Sequence, residues 1–125
     1  MGTAARALTR CPAYAANVNA VPRYAKAVAN PGQGDALARA LLTAADGLAG
    51  DPGCLLYLVN REAGNRDTIW VTEVWRSQAD LDASLRQIAG SEQVTAALAL
   101  VQNWETIELE PVGGKGPGAP PPSGG

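Results

Sequence analysis

At 125 residues the chain has room for one domain of roughly 100 residues with loose ends, not for two ordinary ones. With 46% hydrophobic and 18% charged residues it can bury a core, which excludes overall disorder. A net charge of −2 without a Lys/Arg cluster removes the electrostatic footprint of nucleic-acid binding, no apolar run approaches the roughly 20 residues of a membrane helix, and the absence of histidine removes the usual general base, zinc ligand and haem ligand together.

Residues 1–19 read as an Ala-rich N-terminal extension interrupted by Pro12, where a short helix at 3–10 has no apolar stripe behind it. No continuous apolar segment marks a secretory leader, and Arg6 stands where a myristoylation site wants Ser or Thr, so the expected location is the cytoplasm. There a bridge between Cys11 and Cys54 is disfavoured, and Cys54 reads as a small buried apolar side chain. Because the chain has no Phe, its core aromatics must be Trp or Tyr, whose polar tips need partners when buried.

Residues 21–28 alternate as a strand, with Pro22 tolerable near its start. Asn30-Pro31-Gly32-Gln33-Gly34 is a turn. Leu37, Leu41, Ala44 and Leu48 then recur at helical spacing, predicting an amphipathic helix over 35–49. Residues 54–60 form a nearly continuous apolar strand, 62–66 a hairpin-like loop and 67–76 a third strand. Ser77 opens a second helix with Asp80 at the capping-box position and Leu81, Leu85 and Ile88 as its apolar side. Gly90 breaks it, and Ser91 caps a further helical stretch whose Val94, Leu98 and Val101 are expected to face inward. Residues 104–109 alternate as a fourth strand, and 112–125 form a Gly/Pro tail expected to be disordered.

The order β-α-β-β-α-(α)-β is the ferredoxin-like split βαβ pattern, an α+β fold with helices on one face of a four-stranded antiparallel sheet. The other face is expected to carry Tyr57, together with either Glu73 and Trp75 or Trp70. Such a face needs a cover, so a second sheet, and hence a homodimer, is predicted.

Three segments resemble a known family: Pro31-Gly32 before the first helix, Pro52-Gly53-Cys54-Leu55-Leu56-Tyr57 entering the second strand, and Thr72-Glu73-Val74-Trp75-Arg76-Ser77. Their order and spacing are similar to those of the antibiotic biosynthesis monooxygenase (ABM) domain and its quinol-monooxygenase-like members, over about residues 20–111. The resemblance implies a dimeric α+β barrel that oxygenates a phenolic, anthrone-type or quinol aromatic, often a polyketide, with O2 and without metal, flavin or haem. Two departures stand out. Many members carry a His early in the second helix, where this chain reads Leu81-Asp82-Ala83-Ser84, and Val71 stands where anthrone oxygenases carry an Asn. The haem-degrading relatives use a His ligand, which this chain lacks.

Alternation along the third strand groups Glu73 and Trp75 with Ile69 and Val71, and Trp70 with Thr68 and Thr72, without deciding which group faces the helices. Glu73, a carboxylate in an apolar strand, is the candidate base for a phenolic proton; an ion pair with an Arg is the competing role. Trp75 is a candidate to stack on a flat substrate, against simple packing, and Trp70 likewise. Arg23 and Arg76 are candidates to hold a phenolate or a reduced-oxygen anion, against exposure at strand ends. Tyr24 and Tyr57 could hydrogen-bond a quinone oxygen, and Asn60 and Ser84 could line the pocket, though Asn60 also suits a strand-to-turn boundary. The partners expected are a small aromatic substrate, O2 and a second copy of the chain. Two rival functions use the same fold: a non-catalytic ligand-binding or accessory dimer, and a polyketide cyclase or ring-cleaving enzyme.

Overall fold

The computed structural model describes residues 20–115. The helix considered at 3–10, Cys11 and the tail beyond residue 115 lie outside them. Seven elements follow in the predicted order: β1 (Val21–Ala29), α1 (Gly34–Gly47), β2 (Cys54–Arg61), β3 (Thr68–Trp75), α2 (Gln78–Ile88), α3 (Glu92–Ala99) and β4 (Val101–Glu108). The strands form one sheet in the order β2-β3-β1-β4, every neighbouring pair antiparallel. This is the ferredoxin-like arrangement.

The core lies between the sheet and α1. Ala25, Ala27 and Ala29 of β1 and Ile69 and Val71 of β3 meet Leu37 and Leu41. Alanines at the centre of the sheet let the helix approach closely, and the leucines one turn apart fill the space that this leaves. Trp75 is the largest fully buried side chain and packs the end of the core near α2, where Leu81 is also buried.

Both ends of the site-bearing region are locked by local chemistry. The Asp67 carboxylate accepts from the Gly32 and Gly34 backbone N–H groups, each at 3.0 Å, and holds the turn before α1. Gly34 is required there, since a side chain would collide with the Arg66 carbonyl. At α2 the Ser77 hydroxyl oxygen accepts from Asp80 N at 3.1 Å, as the capping position predicts. The Ser77 hydroxyl in turn donates to Asp80 Oδ2 at 2.7 Å.

Two inward assignments and one outward assignment need correction. α2 meets the sheet through Leu81 and Ser84, whereas Leu85 and Ile88 are 39% and 41% exposed. Only the first two turns of the helix seal against the sheet, so the stripe beyond them stands clear. In α3 the inward line runs through Val94, Ala97 and Leu100, and Leu98 is exposed. The helix stops at Ala99 and the chain turns into β4, so the line follows i, i+3 spacing. Tyr57 does not belong to the uncovered face. A register shift between Cys54 and Leu56 inserts Leu55 as an extra residue and turns Tyr57 toward the helices. The uncovered face carries Tyr24, Leu58 and Ile107, all exposed, and nothing among the described residues covers it.

Candidate active site

On β3 the residues Ile69, Val71, Glu73 and Trp75 are buried and alternate with the half-buried Trp70, Thr72 and Val74. The Glu73 face is therefore the helix-covered one. Residues directly opposite in a sheet point the same way. Glu73 lies opposite Arg23 of β1 on one side and Tyr57 of β2 on the other, and Arg23 lies opposite Glu108 of β4. A row of polar side chains thus crosses the helix-side face of the sheet, from the exposed Glu108 at one edge through Arg23 and Glu73 to Tyr57. Ser84 of α2 is buried beside Leu81 on the helix face turned to the sheet.

Glu73 is only 7% exposed. A carboxylate this enclosed favours hydrogen-bond donors, and an oxygen that lacks one must still reach solvent, since no side-chain N or O among the described residues is both sealed and unpartnered. Glu73 has one donor in Trp75 two residues on, whose indole Nε1–H donates to Glu73 Oε1 at 2.9 Å. The second oxygen, Oε2, has no partner among the described residues, nor do the Arg23 guanidinium, the Tyr57 hydroxyl or the Ser84 hydroxyl. Arg23 stands between two carboxylate-bearing positions without an ion pair to either. Burial, and then the Glu73 charge, push the Tyr57 phenol up to about 12 against the opposing pull of Arg23, so this phenol is a donor at any physiological pH. Burial likewise raises the Cys54 thiol, with Glu73 adding to the effect, and keeps it in its unreactive protonated form.

The other candidates lie elsewhere. Tyr24, Asn60 and Trp70 share the uncovered face, as their pairings with Thr72 and with each other require. The Trp70 indole donates to Glu62 Oε1 at 2.9 Å, and Lys26 Nζ sits 5.5 Å from the Trp70 ring centre. Arg76 is beyond the end of β3 and binds Asp80 through two hydrogen bonds of 2.9 and 3.0 Å. The fold thus gathers Arg23, Tyr57, Glu73, Trp75 and Ser84 and separates Tyr24, Asn60, Trp70 and Arg76 from them. Glu108 completes the row and escaped the sequence reading; only the β1–β4 register reveals it. An open groove of about 540 Å³ runs past Glu108, lined also by Ala20, Val21, Gln78 and Leu109. Among the described residues no three His, Cys, Asp or Glu side chains cluster as metal ligands do, and no helix is long and apolar enough to cross a membrane.

Comparison with known proteins agrees with this fold. The family model for antibiotic biosynthesis monooxygenases matches residues 23–105. A crystal structure from Chloroflexus aurantiacus, described as a candidate antibiotic biosynthesis monooxygenase, is 36% identical, with a TM-score of 0.67, over 79% of this chain and 99% of that one. A similarly described Deinococcus radiodurans structure is 22% identical, with a TM-score of 0.65, over 72% and 90% of the two chains. The N63A mutant of SnoaB, a cofactor-independent oxygenase from Streptomyces nogalater, is 19% identical, with a TM-score of 0.65, over 73% and 91%; at that identity the likeness is one of fold. Among curated proteins none matches.

Proposed function

Because the chain belongs to the antibiotic biosynthesis monooxygenase family, we propose that it oxygenates an electron-rich phenolic, anthrone-type or quinol substrate with O2, as a cytoplasmic homodimer. The observation that carries this reading is the buried Glu73 carboxylate with one oxygen held by Trp75 and the other unpartnered, in a row with a free guanidinium and a protonated phenol. That set suits proton removal followed by stabilisation of the anion formed.

For an anthrone the steps balance as follows. Glu73 Oε2 takes a proton from the ring methylene and leaves a delocalised carbanion-phenolate, with Arg23 and Tyr57 holding its oxygen. The anion passes one electron to O2, and the resulting radical and superoxide join through a new C–O bond. Glu73 returns its proton to the peroxide, which loses water to give the quinone carbonyl. One oxygen atom of O2 enters the product and the other leaves as water. The chain's share is orientation, exclusion of water and charge stabilisation. SnoaB is described as cofactor-independent, and we extend that property to this chain by its likeness of fold.

Arg76 has no part in this scheme, since Asp80 already engages its guanidinium. Tyr24, Asn60 and Trp70 belong to the surface on which the second copy packs. Incubation of the protein with an anthrone or a quinol in air tests the proposal. Turnover above the buffer blank, lost in Glu73→Gln, is expected; a rate equal to the blank contradicts it.

The departures at Val71 and Ser84 from residues that many relatives use favour a second reading, in which the same row binds an aromatic for ring closure or as a ligand only. Product mass separates the two, because cyclisation adds no oxygen.

A further inference from the structure

We infer that Trp75 is a positioning residue that acts on the reaction through Glu73, and that it does not contact the substrate. The inference rests on Glu73 being the base proposed above. An indole that stacks on a ligand must offer an open ring face, and Trp75 is 2% exposed. Its backbone is fixed on both sides, opposite Val21 of β1 and Cys54 of β2. The next residue is fixed as well, since Arg76 N donates to the Gly53 carbonyl at 2.8 Å. What Trp75 does offer is its single N–H, and that donates to Glu73 Oε1 at 2.9 Å.

The consequence is directional. Residues i and i+2 on a strand share a face, so the hydrogen bond runs along β3 and clamps the Glu73 side chain in one rotamer. It occupies Oε1 and makes Oε2, which has no partner among the described residues, the oxygen that receives the proton. A buried carboxylate without this clamp could rotate toward Arg23, opposite it on β1, and form an ion pair that would disable it as a base. In this account Trp75 keeps Glu73 and Arg23 apart and so preserves both.

The test has one arm that needs no turnover and one that does. The chain has three tryptophans, so protein labelled with ¹⁵N-tryptophan gives three indole N–H signals, assigned by single Trp→Phe changes. Glu73→Asp shortens the carboxylate by one methylene and draws it off the indole while Trp75 stays in the core. The Trp75 signal should then move and the Trp70 signal should not; an unmoved Trp75 signal overturns the inference. In steady-state kinetics Trp75→Phe should lower kcat by roughly ten- to a hundredfold and leave KM within about twofold. In a Glu73→Gln background the same change should cost nothing further. A raised KM with kcat retained, or a full additional loss in that background, would identify Trp75 as a stacking platform and overturn the inference. If Trp75→Phe does not fold, Glu73→Asp supplies the kinetic arm, with the same kcat loss expected at unchanged KM. If the wild-type protein turns over no aromatic substrate, the proposed reaction and the catalytic role fall together, and the indole signal alone then decides whether the clamp exists.

Discussion

The two faces of one sheet divide this molecule into a helix-covered half, which holds the proposed site, and an uncovered half, where the proposed second copy would pack. β1 shows the contrast residue by residue. Toward the helices it presents Ala25, Ala27 and Ala29, all buried, and Arg23; away from them it presents Tyr24, Lys26 and Val28. Small side chains stand where α1 must approach, and large ones stand where the next layer is still to come. Polar groups occur on both faces, and Tyr24 and Asn60 of the uncovered face have no side-chain hydrogen bond among the described residues. On the uncovered face Trp70 is engaged by Glu62 and Lys26. On the covered face Arg23, Tyr57, Ser84 and one oxygen of Glu73 are unengaged. Unused hydrogen-bonding capacity beneath a helix layer suits a ligand, and exposed apolar bulk on a flat sheet suits a partner.

The sharpest way to break the contrast is to hollow the covered side. Leu37→Ala removes a fully buried side chain between α1 and the alanine strip and should cost about 2–5 kcal/mol in urea unfolding. An equal truncation at Leu58, which is 49% exposed in the single chain, should cost much less in a monomeric background. Next comes association. Leu58→Glu combined with Ile107→Glu puts two charges on the uncovered face and should turn the proposed dimer into a monomer by light scattering while the circular dichroism of the fold persists. Unchanged mass would show that the copies meet elsewhere.

The smallest effect belongs to Tyr57. Its phenol is raised in the folded state, by burial and then by Glu73, to about 12. In the unfolded chain it ionises near 10. The folded state thus holds the proton longer, so this contribution to stability is complete below about pH 10 and is lost as the pH rises toward 12. Tyr57→Phe should remove that part of the alkaline loss and leave neutral-pH stability within about 1 kcal/mol. Identical alkaline curves for the two proteins would contradict the burial of the phenol beside Glu73.

Element order was legible because each element carries its own period: leucines at helical spacing in α1, alternation in β1 and β3, Ser77 and Asp80 at a helix start. A carboxylate in the middle of an apolar strand also marked Glu73 from the sequence. The orientation of the faces was not legible, since alternation is symmetric and the extra residue at Leu55 reverses the sense of β2 at that point. Apolar stripes misled at Leu85, Ile88 and Leu98 because a period names the apolar side of a helix without saying how far the sheet extends beneath it. Arg76 could have been read differently, since Asp80 four residues on is a ready partner. Glu108 joins the site only through pairing between the first and last strands, a long-range register that no local pattern encodes.

The most direct test of the central claim, that the covered face uses Glu73 to prime an aromatic for O2, is oxygen-isotope labelling. The purified protein, an anthrone and ¹⁸O2 are combined without added cofactor, beside Glu73→Gln and a protein-free blank. The account predicts a quinone with a single ¹⁸O atom, formed at least about a hundredfold more slowly by Glu73→Gln. A product without ¹⁸O, or equal rates in all three samples, would contradict it.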